Sequence, residues 1–278
     1  WYGNYSRCLA YGAYSDAGYS DTSDPLVRGT LLHVGLAHQH ARWQCVQERR
    51  DPDAYYLPEA AMEEWCRRHP EGSPHLAQII DVLRRYLAKY PEPPGRILGV
   101  EMLVRGVLGT RGGAWGLWTL AEGQEWFNRS WCAGQPLPRA HLGGEITPSV
   151  IAVPGAKADG QPIMLTRRVD LVLEDRARIV YVWDWKGTSG DVSKSRARKY
   201  AMSGEFPATR TLCSQLYDGR FGGVSLGLIQ NVKPFSVGRH PVPQTPWRDA
   251  HFAGMIHRLA HTIAQLKRDC PTPFDYPM

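Results

Sequence analysis

Two aspartates and a lysine near the middle of the chain have the types and spacing that metal-assisted chemistry requires. Asp170 lies in the apolar segment 167–174, and Asp184 and Lys186 lie in the apolar segment 179–187. Both segments are rich in branched and aromatic residues, and a charged turn separates them, which predicts a β-hairpin. Because side chains alternate between faces along a strand, Asp184 and Lys186 point to the same face.

The register of this hairpin decides whether the two aspartates meet. A three-residue turn, 176–178, would place Asp170 directly opposite Asp184 with Cβ atoms roughly 4.5–5.5 Å apart, whereas a turn one residue shorter or longer would place a tryptophan there. Two carboxylates at that distance repel each other, but a hard divalent cation such as Mg²⁺ binds carboxylate oxygens while it keeps several waters. Lys186 could then orient one of those waters. This combination is typical of metal-assisted phosphodiester hydrolysis.

The composition is that of an ordinary globular protein with a basic charge balance. The chain has 278 residues, 43% hydrophobic and 22% charged, with a net charge of +6 and a pI near 9.0. A basic protein suits a polyanionic partner such as DNA. No C-x-x-C motif supports a zinc ribbon or a thioredoxin-like site, and neither a transmembrane segment nor a signal peptide is visible. We therefore expect a cytoplasmic protein with no membrane partner.

Hydrophobic periodicity predicts the elements that must hold these residues in place. Helices are expected over residues 29–47, within 51–95, and over 208–218 and 248–269. Besides the hairpin, strands are expected at 96–104, 146–153 and 228–232. The fold class is α/β, with a central mixed β-sheet flanked by helices, and residues 1–278 form a single domain.

The segment 105–144 contains Trp115, Trp118, Trp126 and Trp131 and many glycines, and we predict that it is an insertion within the domain. A short helix is expected at 118–126. The tryptophans either form a wall on which bases stack or pack as the small core of the insertion.

The order of the chemically equipped residues resembles that of a known enzyme family. Asp170, thirteen further residues and then Asp184-Trp185-Lys186 resemble the signature of the PD-(D/E)XK nuclease superfamily, with Val169 where that family has proline. Gly29 and His33 resemble the G-x-x-x-H motif of its RecB-like and phage-type exonuclease branch, and Glu101 matches a strand glutamate of that branch.

This resemblance implies a restriction-endonuclease-like core and a role for each matched residue. Asp170, Asp184 and the Trp185 carbonyl would bind Mg²⁺ or Mn²⁺, with His33 as a further ligand in preference to His38 or His40. Glu101 would lie near the metal, and Lys186 would orient the attacking water. The family also has a glutamine that helps to hold the substrate strand.

Several positions remain open at this stage. Glu145 is an alternative to Glu101, and the substrate-holding position is either Gln215 or Glu205, with Gln215 preferred because an ionised glutamate cannot donate a hydrogen bond. Some relatives hold an iron–sulfur cluster with three cysteines near the C-terminus, but only Cys270 lies there, so we expect no such cluster. A basic run, Lys194, Arg196, Arg198 and Lys199, either contacts phosphates or forms a solvated helix face.

The resulting functional prediction is a metal-dependent deoxyribonuclease that hydrolyses phosphodiester bonds with a metal-activated water, as an exonuclease. Its partners would be DNA and a recombination or repair protein. Gly187, at a position where the family usually has threonine, keeps a second hypothesis open: a nuclease-like module that binds DNA without cutting it. A third is a metal-dependent phosphoesterase that acts on a substrate other than DNA.

Overall fold

A mixed β-sheet between two layers of helices forms the core of the protein. The structure, a computed structural model, describes residues 23–111, 114–119, 157–158, 161–162, 164–201, 205–232, 235–243 and 246–269. The helices are α1 Asp24–Gln47, α2 Pro58–Arg68, α3 Leu76–Lys89, α4 Lys194–Ala201, α5 Glu205–Leu216 and α6 Pro246–Asp269. The strands are β1 Arg96–Arg111, β2 Ala114–Thr119, β3 Lys157–Ala158, β4 Gln161–Pro162, β5 Met164–Glu174, β6 Val180–Thr188, β7 Phe221–Gln230 and β8 Val237–Pro241.

Six of these strands form one sheet in the order β2-β1-β5-β6-β7-β8, and β3 pairs with β4 in a separate two-stranded sheet. Neighbours in the large sheet are antiparallel, except that β6 and β7 are parallel and are connected through α4 and α5. A parallel pair requires such a crossover, because its strands start at the same end of the sheet. The predicted α/β class and mixed sheet flanked by helices are confirmed.

The two faces of the sheet belong to separate hydrophobic layers. Layer A contains Val172, Val180 and Val182 and packs against α4, α5 and α6. Layer B contains Leu173 and Trp185 and packs against α1, α2 and α3. Strands covered on both faces explain the nearly continuous apolar runs in β6 and β7. Among the described helices, none combines the length and the apolar character needed to cross a bilayer.

The central hairpin has the register that a three-residue turn predicts. Leu171 pairs with Trp183, and the ladder continues without a shift to the end of β5. Asp175 N then donates to Ile179 O at 2.9 Å, which closes a turn of residues 176–178. One residue before Leu171 in β5, the same register places Asp170 across from Asp184.

The structure corrects the prediction for the start of the Trp-rich segment. Residues 105–111 continue β1, and residues 114–119 form β2 at the edge of the sheet, whereas the insertion expected over 105–144 stays a prediction. Trp118 lies in β2 and not in a helix, because its strand pairs along its whole length with β1. Residues 120–144, and the strand expected at 146–153, lie outside the described residues.

A glycine in β7 makes room for the side chain of Trp185. Gly227 is the Cα partner of Trp185 in the parallel ladder, and a Cβ there would lie 2.7 Å from Cδ1 and 2.8 Å from Nε1 of the indole. Since that ring is rigid and buried, we expect Gly227→Ala to lower the free energy of unfolding by roughly 1–3 kcal/mol. Urea denaturation would measure it. Gly29→Ala is the control, because a Cβ at Gly29 meets no atom within 4 Å; equal midpoints for the two variants would contradict this account.

Candidate metal centre

Three side chains from three different elements converge beneath α1. His33 of α1, Glu101 of β1 and Asp170 of β5 each offer one ligand atom, and these atoms lie within 4.8 Å of one another. Glu101 is 1% exposed and Asp170 is 6% exposed. Two carboxylates and an imidazole buried this closely form a set that can bind a divalent metal ion.

The sheet is irregular where the two carboxylates meet. Val100 pairs with Leu171 and Met102 with Val169, so Glu101 and Asp170 lie across from each other. In a regular strand Val169 and Leu171 would share a face, yet Val169 belongs to layer A and Leu171 to layer B. Strand β1 changes face at the same place, because Val100 belongs to layer B and Met102 to layer A.

Glu101 has a left-handed backbone conformation at this change of face, with φ 52°. Such a conformation costs a non-glycine residue of the order of 1–3 kcal/mol, and residues that retain it cluster at functional sites. The surrounding ladder therefore holds the Glu101 carboxyl group in a position that regular pairing would not give it.

The main chain of Trp185 completes the cluster. Its N–H donates to Asp170 Oδ2 at 2.7 Å, and its carbonyl oxygen accepts a hydrogen bond of 2.9 Å from Nε2 of His33. The other ring nitrogen of His33, Nδ1, lies 3.5 Å from Asp170 Oδ2. Adjacent ligands of an octahedral Mg²⁺ or Mn²⁺ lie about 3 Å apart. The carbonyl oxygen and the imidazole Nε2 already have this separation, so both could bind one ion once Nε2 has released the proton that it now donates.

The charges in the cluster are strongly coupled. Burial and the neighbouring Asp170 carboxylate raise the pKa of Glu101 to about 8, against the opposing effect of Arg168. Burial disfavours the charged form of His33, but Asp170 and Glu101 outweigh it and raise the pKa of this histidine. Burial alone would raise the pKa of Asp170, but His33 together with the Trp185 N–H holds it well below its usual range.

Arg168 compensates part of this negative charge. Its Nε lies 3.0 Å from Glu101 Oε2, at ion-pair distance, although that oxygen accepts no hydrogen bond among the described residues. Arg168 precedes Asp170 by two positions in β5. One Glu101 oxygen thus has a charged neighbour without hydrogen-bond geometry.

Asp184 and Lys186 form a second group beside the cluster. Lys186 Nζ lies 3.0 Å from Asp184 Oδ2 and 3.3 Å from Oδ1. Asp184 is 7% exposed, and it does not belong to the set of ligand atoms within 4.8 Å that His33, Glu101 and Asp170 form. Strand alternation places both residues on the layer A side with Val182. The charge of Lys186 also lowers the pKa of Asp170, with a smaller effect than that of His33 and against the opposing effect of burial.

The side chain of Trp185 is fixed from the opposite direction. Its Nε1 donates to the hydroxyl of Tyr86 at 3.2 Å, and Arg239 donates to the same hydroxyl at 3.1 Å. The Arg239 guanidinium lies 3.5 Å over the Tyr90 ring and 4.9 Å over the Trp183 ring. Arg239 and Tyr86 therefore set the position of the indole, and the indole sets the position of the main-chain atoms that contact His33 and Asp170.

Comparisons with known proteins were negative. No protein-family model matches the chain, and no curated protein matches it. The function must be inferred from the residues that the fold brings together.

The fold brings some predicted site residues together and separates others. His33, Glu101, Asp170 and the Trp185 carbonyl meet, and Asp184 and Lys186 lie beside them, whereas Gln215 is exposed on α5 and does not belong to this set of ligand atoms. Glu205 begins α5, and Glu145 lies outside the described residues.

Neither of the competing histidines reaches the cluster as a ligand. His38 is buried beside Tyr55 and Tyr56, and burial lowers its pKa to about 4. His40 packs its ring 4.9 Å from the indole of Trp185, and burial lowers its pKa to about 3. Both are neutral packing residues, which leaves His33 as the imidazole of the site.

Sequence reasoning did not find the supporting residues Arg168, Tyr86 and Arg239. Arg168 could have been suspected, because it shares a strand face with Asp170 at a spacing of two. Tyr86 was visible only as one of two tyrosines four residues apart on a helix. Nothing local distinguishes Arg239, whose hydrogen-bond partner Tyr86 is 153 residues away in the sequence.

We expect Tyr86→Phe to weaken metal binding without removing any ligand. Without the hydroxyl, Trp185 Nε1 and Arg239 lose a shared acceptor, which costs roughly 1–3 kcal/mol of stability. Substitutions in the supporting shell of a metal site typically lower affinity at least about tenfold. Calorimetric titration with Mn²⁺ would measure this. Tyr90→Phe is the control, because it keeps the ring under Arg239; the same loss of affinity in both variants would disprove the role of the Tyr86 hydroxyl.

Metal affinity is expected to depend on pH through Glu101. This carboxyl group must be ionised to bind a cation, and its pKa is raised to about 8, so metal binding below that pH must release a proton. Glu101 alone should therefore make the apparent affinity for Mn²⁺ rise by up to about tenfold per pH unit until pH reaches about 8, and His33, whose pKa is also raised, should make the rise steeper wherever it is protonated. Glu101→Gln should bind more weakly and release about one proton fewer. An unchanged slope in this variant would show that Glu101 does not exchange its proton for the metal.

Proposed function

We propose that the protein is a divalent-metal-dependent deoxyribonuclease. The observation that carries this proposal is the cluster of His33, Glu101 and Asp170 with the Trp185 carbonyl, directly beside the Asp184–Lys186 pair. A bound Mg²⁺ or Mn²⁺ would supply charge neutralisation at the phosphate and a water of lowered pKa.

The chain's own residues have separate tasks in this proposal. Asp170 and the Trp185 carbonyl would bind the ion together with His33. Asp170 accepts the Trp185 N–H, so its second oxygen is directed by a bond within the sheet. Glu101 would be a further ligand, and its proton would be released on binding.

Lys186 would act on the water and the phosphate. Its ammonium group is held by Asp184 at 3.0 Å, and its side chain is 27% exposed, so it can reach a substrate at the surface while it stays oriented. Here it would donate hydrogen bonds to the attacking water and to the charge that develops on the phosphate. Asp184 would hold Lys186 in this direction and could approach the ion when the metal is bound.

The basic balance of the chain supports a nucleic acid as the substrate. A net charge of +6 favours binding of a polyanion. The proposal includes exonuclease action on DNA, which rests on the likeness of Gly29, His33, Asp170, Asp184 and Lys186 to the RecB-like order of motifs.

A direct test is degradation of DNA with Mg²⁺ or Mn²⁺, on end-labelled linear and closed circular substrates. We expect linear DNA to be lost and circles to survive, and Lys186→Ala to reduce the rate roughly 100-fold or more. Lys89→Ala, an exposed lysine on α3, is the matched control and should retain the wild-type rate. Cleavage of closed circular DNA would indicate an endonuclease and contradict the exonuclease part of the proposal. DNA binding without cleavage under either metal would favour the binding module.

A further inference from the structure

A cavity on the layer A side of the sheet lies next to the proposed catalytic pair. Its volume is about 270 Å³, and it is bounded by α4, β7 and β8. Its floor is apolar and consists of Ala197, Leu226 and Val242, and two prolines form a wall. The residues of this cavity have no task in the metal centre.

The sheet register connects this cavity to the metal centre. Asp184 is the Cα partner of Leu226, and Leu226 is the partner of His240. Together with Glu101 and Asp170 these residues form one row across five strands, which we call the central row. Neighbouring strands lie roughly 4.8 Å apart, so the floor of the cavity begins one strand away from Asp184.

The mouth of the cavity is positively charged. Lys194 and Arg198 are exposed, line the cavity, and stand one helical turn apart on the same side of α4. None of the described residues that line the cavity is acidic. Only two residues of the basic run found in the sequence therefore line the cavity. Of the others, Arg196 pairs with Asp191 at 3.6 Å and Lys199 does not line the cavity.

The wall on the β8 side is held in place by the segment before α4. His240 donates from Nε2 to Val192 O at 2.8 Å. A Cβ on Gly238 would collide with Val192 O and with the His240 ring, so this close approach requires a glycine. The cavity is therefore enclosed by packed main chain and not only by exposed side chains.

A ligand of this cavity must combine an apolar part with an anionic part. Inorganic phosphate could contact Lys194 and Arg198 but would leave the apolar floor empty, and an uncharged nucleoside would leave the two cations without a partner. A nucleoside monophosphate unit has both parts, since its base and sugar can lie on the floor and its phosphate at the mouth.

We propose that this cavity binds one nucleotide of the substrate strand, adjacent to the phosphate that Lys186 faces. Lys194 and Arg198 would contact the phosphate of that nucleotide, and Leu226 and Val242 would contact its base or sugar. This inference rests on the proposed function, because it assigns the cavity as a subsite of the same strand. The central row then leads from the metal ligands, through Asp184, to the bound nucleotide.

The test is calorimetric titration of the metal-free protein with thymidine monophosphate, thymidine, inorganic phosphate and octanoate. We expect thymidine monophosphate to bind most tightly of the four. The double variant Lys194→Glu/Arg198→Glu should weaken it by about tenfold or more, because two cations at the phosphate become anions. Lys199→Glu, on the same helix but outside the cavity, should leave the affinity within about twofold of the wild type.

A second variant tests the floor of the cavity separately from its charge. Ala197→Leu adds three carbons at a residue that lines the cavity and should weaken nucleotide binding, and a cooperative thermal unfolding transition in this variant would show that the loss is not caused by unfolding. Three results would overturn the proposal: no binding of thymidine monophosphate, tighter binding of octanoate or phosphate, or an equal effect of Lys199→Glu.

These results are independent of whether the protein cuts DNA. If wild-type protein degrades DNA but does not bind the mononucleotide, the subsite is wrong and the nuclease stands. If the mononucleotide binds and the two cavity variants abolish this, but no metal supports cleavage, the cavity binds nucleotides as assigned while the nuclease proposal and the subsite's place in it fail.

Discussion

The burial of two neighbouring carboxylates determines how the centre of this protein is built. Glu101 and Asp170 lie across from each other in the sheet, almost fully excluded from solvent. Negative charges in that position are unfavourable unless cations or donors surround them. His33, Arg168 and the Trp185 N–H provide part of this compensation, and the raised pKa of Glu101 shows that it is incomplete. A divalent cation would complete this charge compensation. The uncompensated negative charge of the two carboxylates is therefore also what would attract the metal ion of the proposed chemistry.

The fold stabilises this unfavourable arrangement through Trp185, which belongs to the site and to the core at once. Its main chain contacts Asp170 and His33, and its indole is buried in layer B between α1, α3 and the sheet. Gly227 makes room for the ring, and Tyr86 fixes its nitrogen. Burying a tryptophan contributes a large apolar area. Packing in layer B thus holds the main-chain atoms that a metal site requires. Their position therefore depends on burial of the indole and not on the charges of the site.

The sequence predicted those features that depend on local pattern. A three-residue turn, one of the turn lengths that the sequence left open, gives the observed register of the hairpin, and the resemblance to the G-x-x-x-H motif favoured His33 over His40. Strand alternation did not predict the face of Asp170, because β1 and β5 both change face there. The left-handed residue at this change of face, Glu101, lies in β1 and not in the strand of Asp170. The role of Arg239 could not be predicted for a similar reason, since only the tertiary fold brings it to Tyr86. Trp118 was placed in a helix because tryptophans and glycines carry no strong period.

The position of Asp184 follows from the same geometry. Asp170 contacts His33 of α1 and the Trp185 N–H, whereas Asp184 contacts Lys186. The central row therefore divides into an acidic part that can bind a cation and a part that faces the cavity under Lys194 and Arg198. Most of this row is almost fully buried, so a substrate could approach it only where Lys186 is partly exposed and where Lys194 and Arg198 are exposed at the cavity.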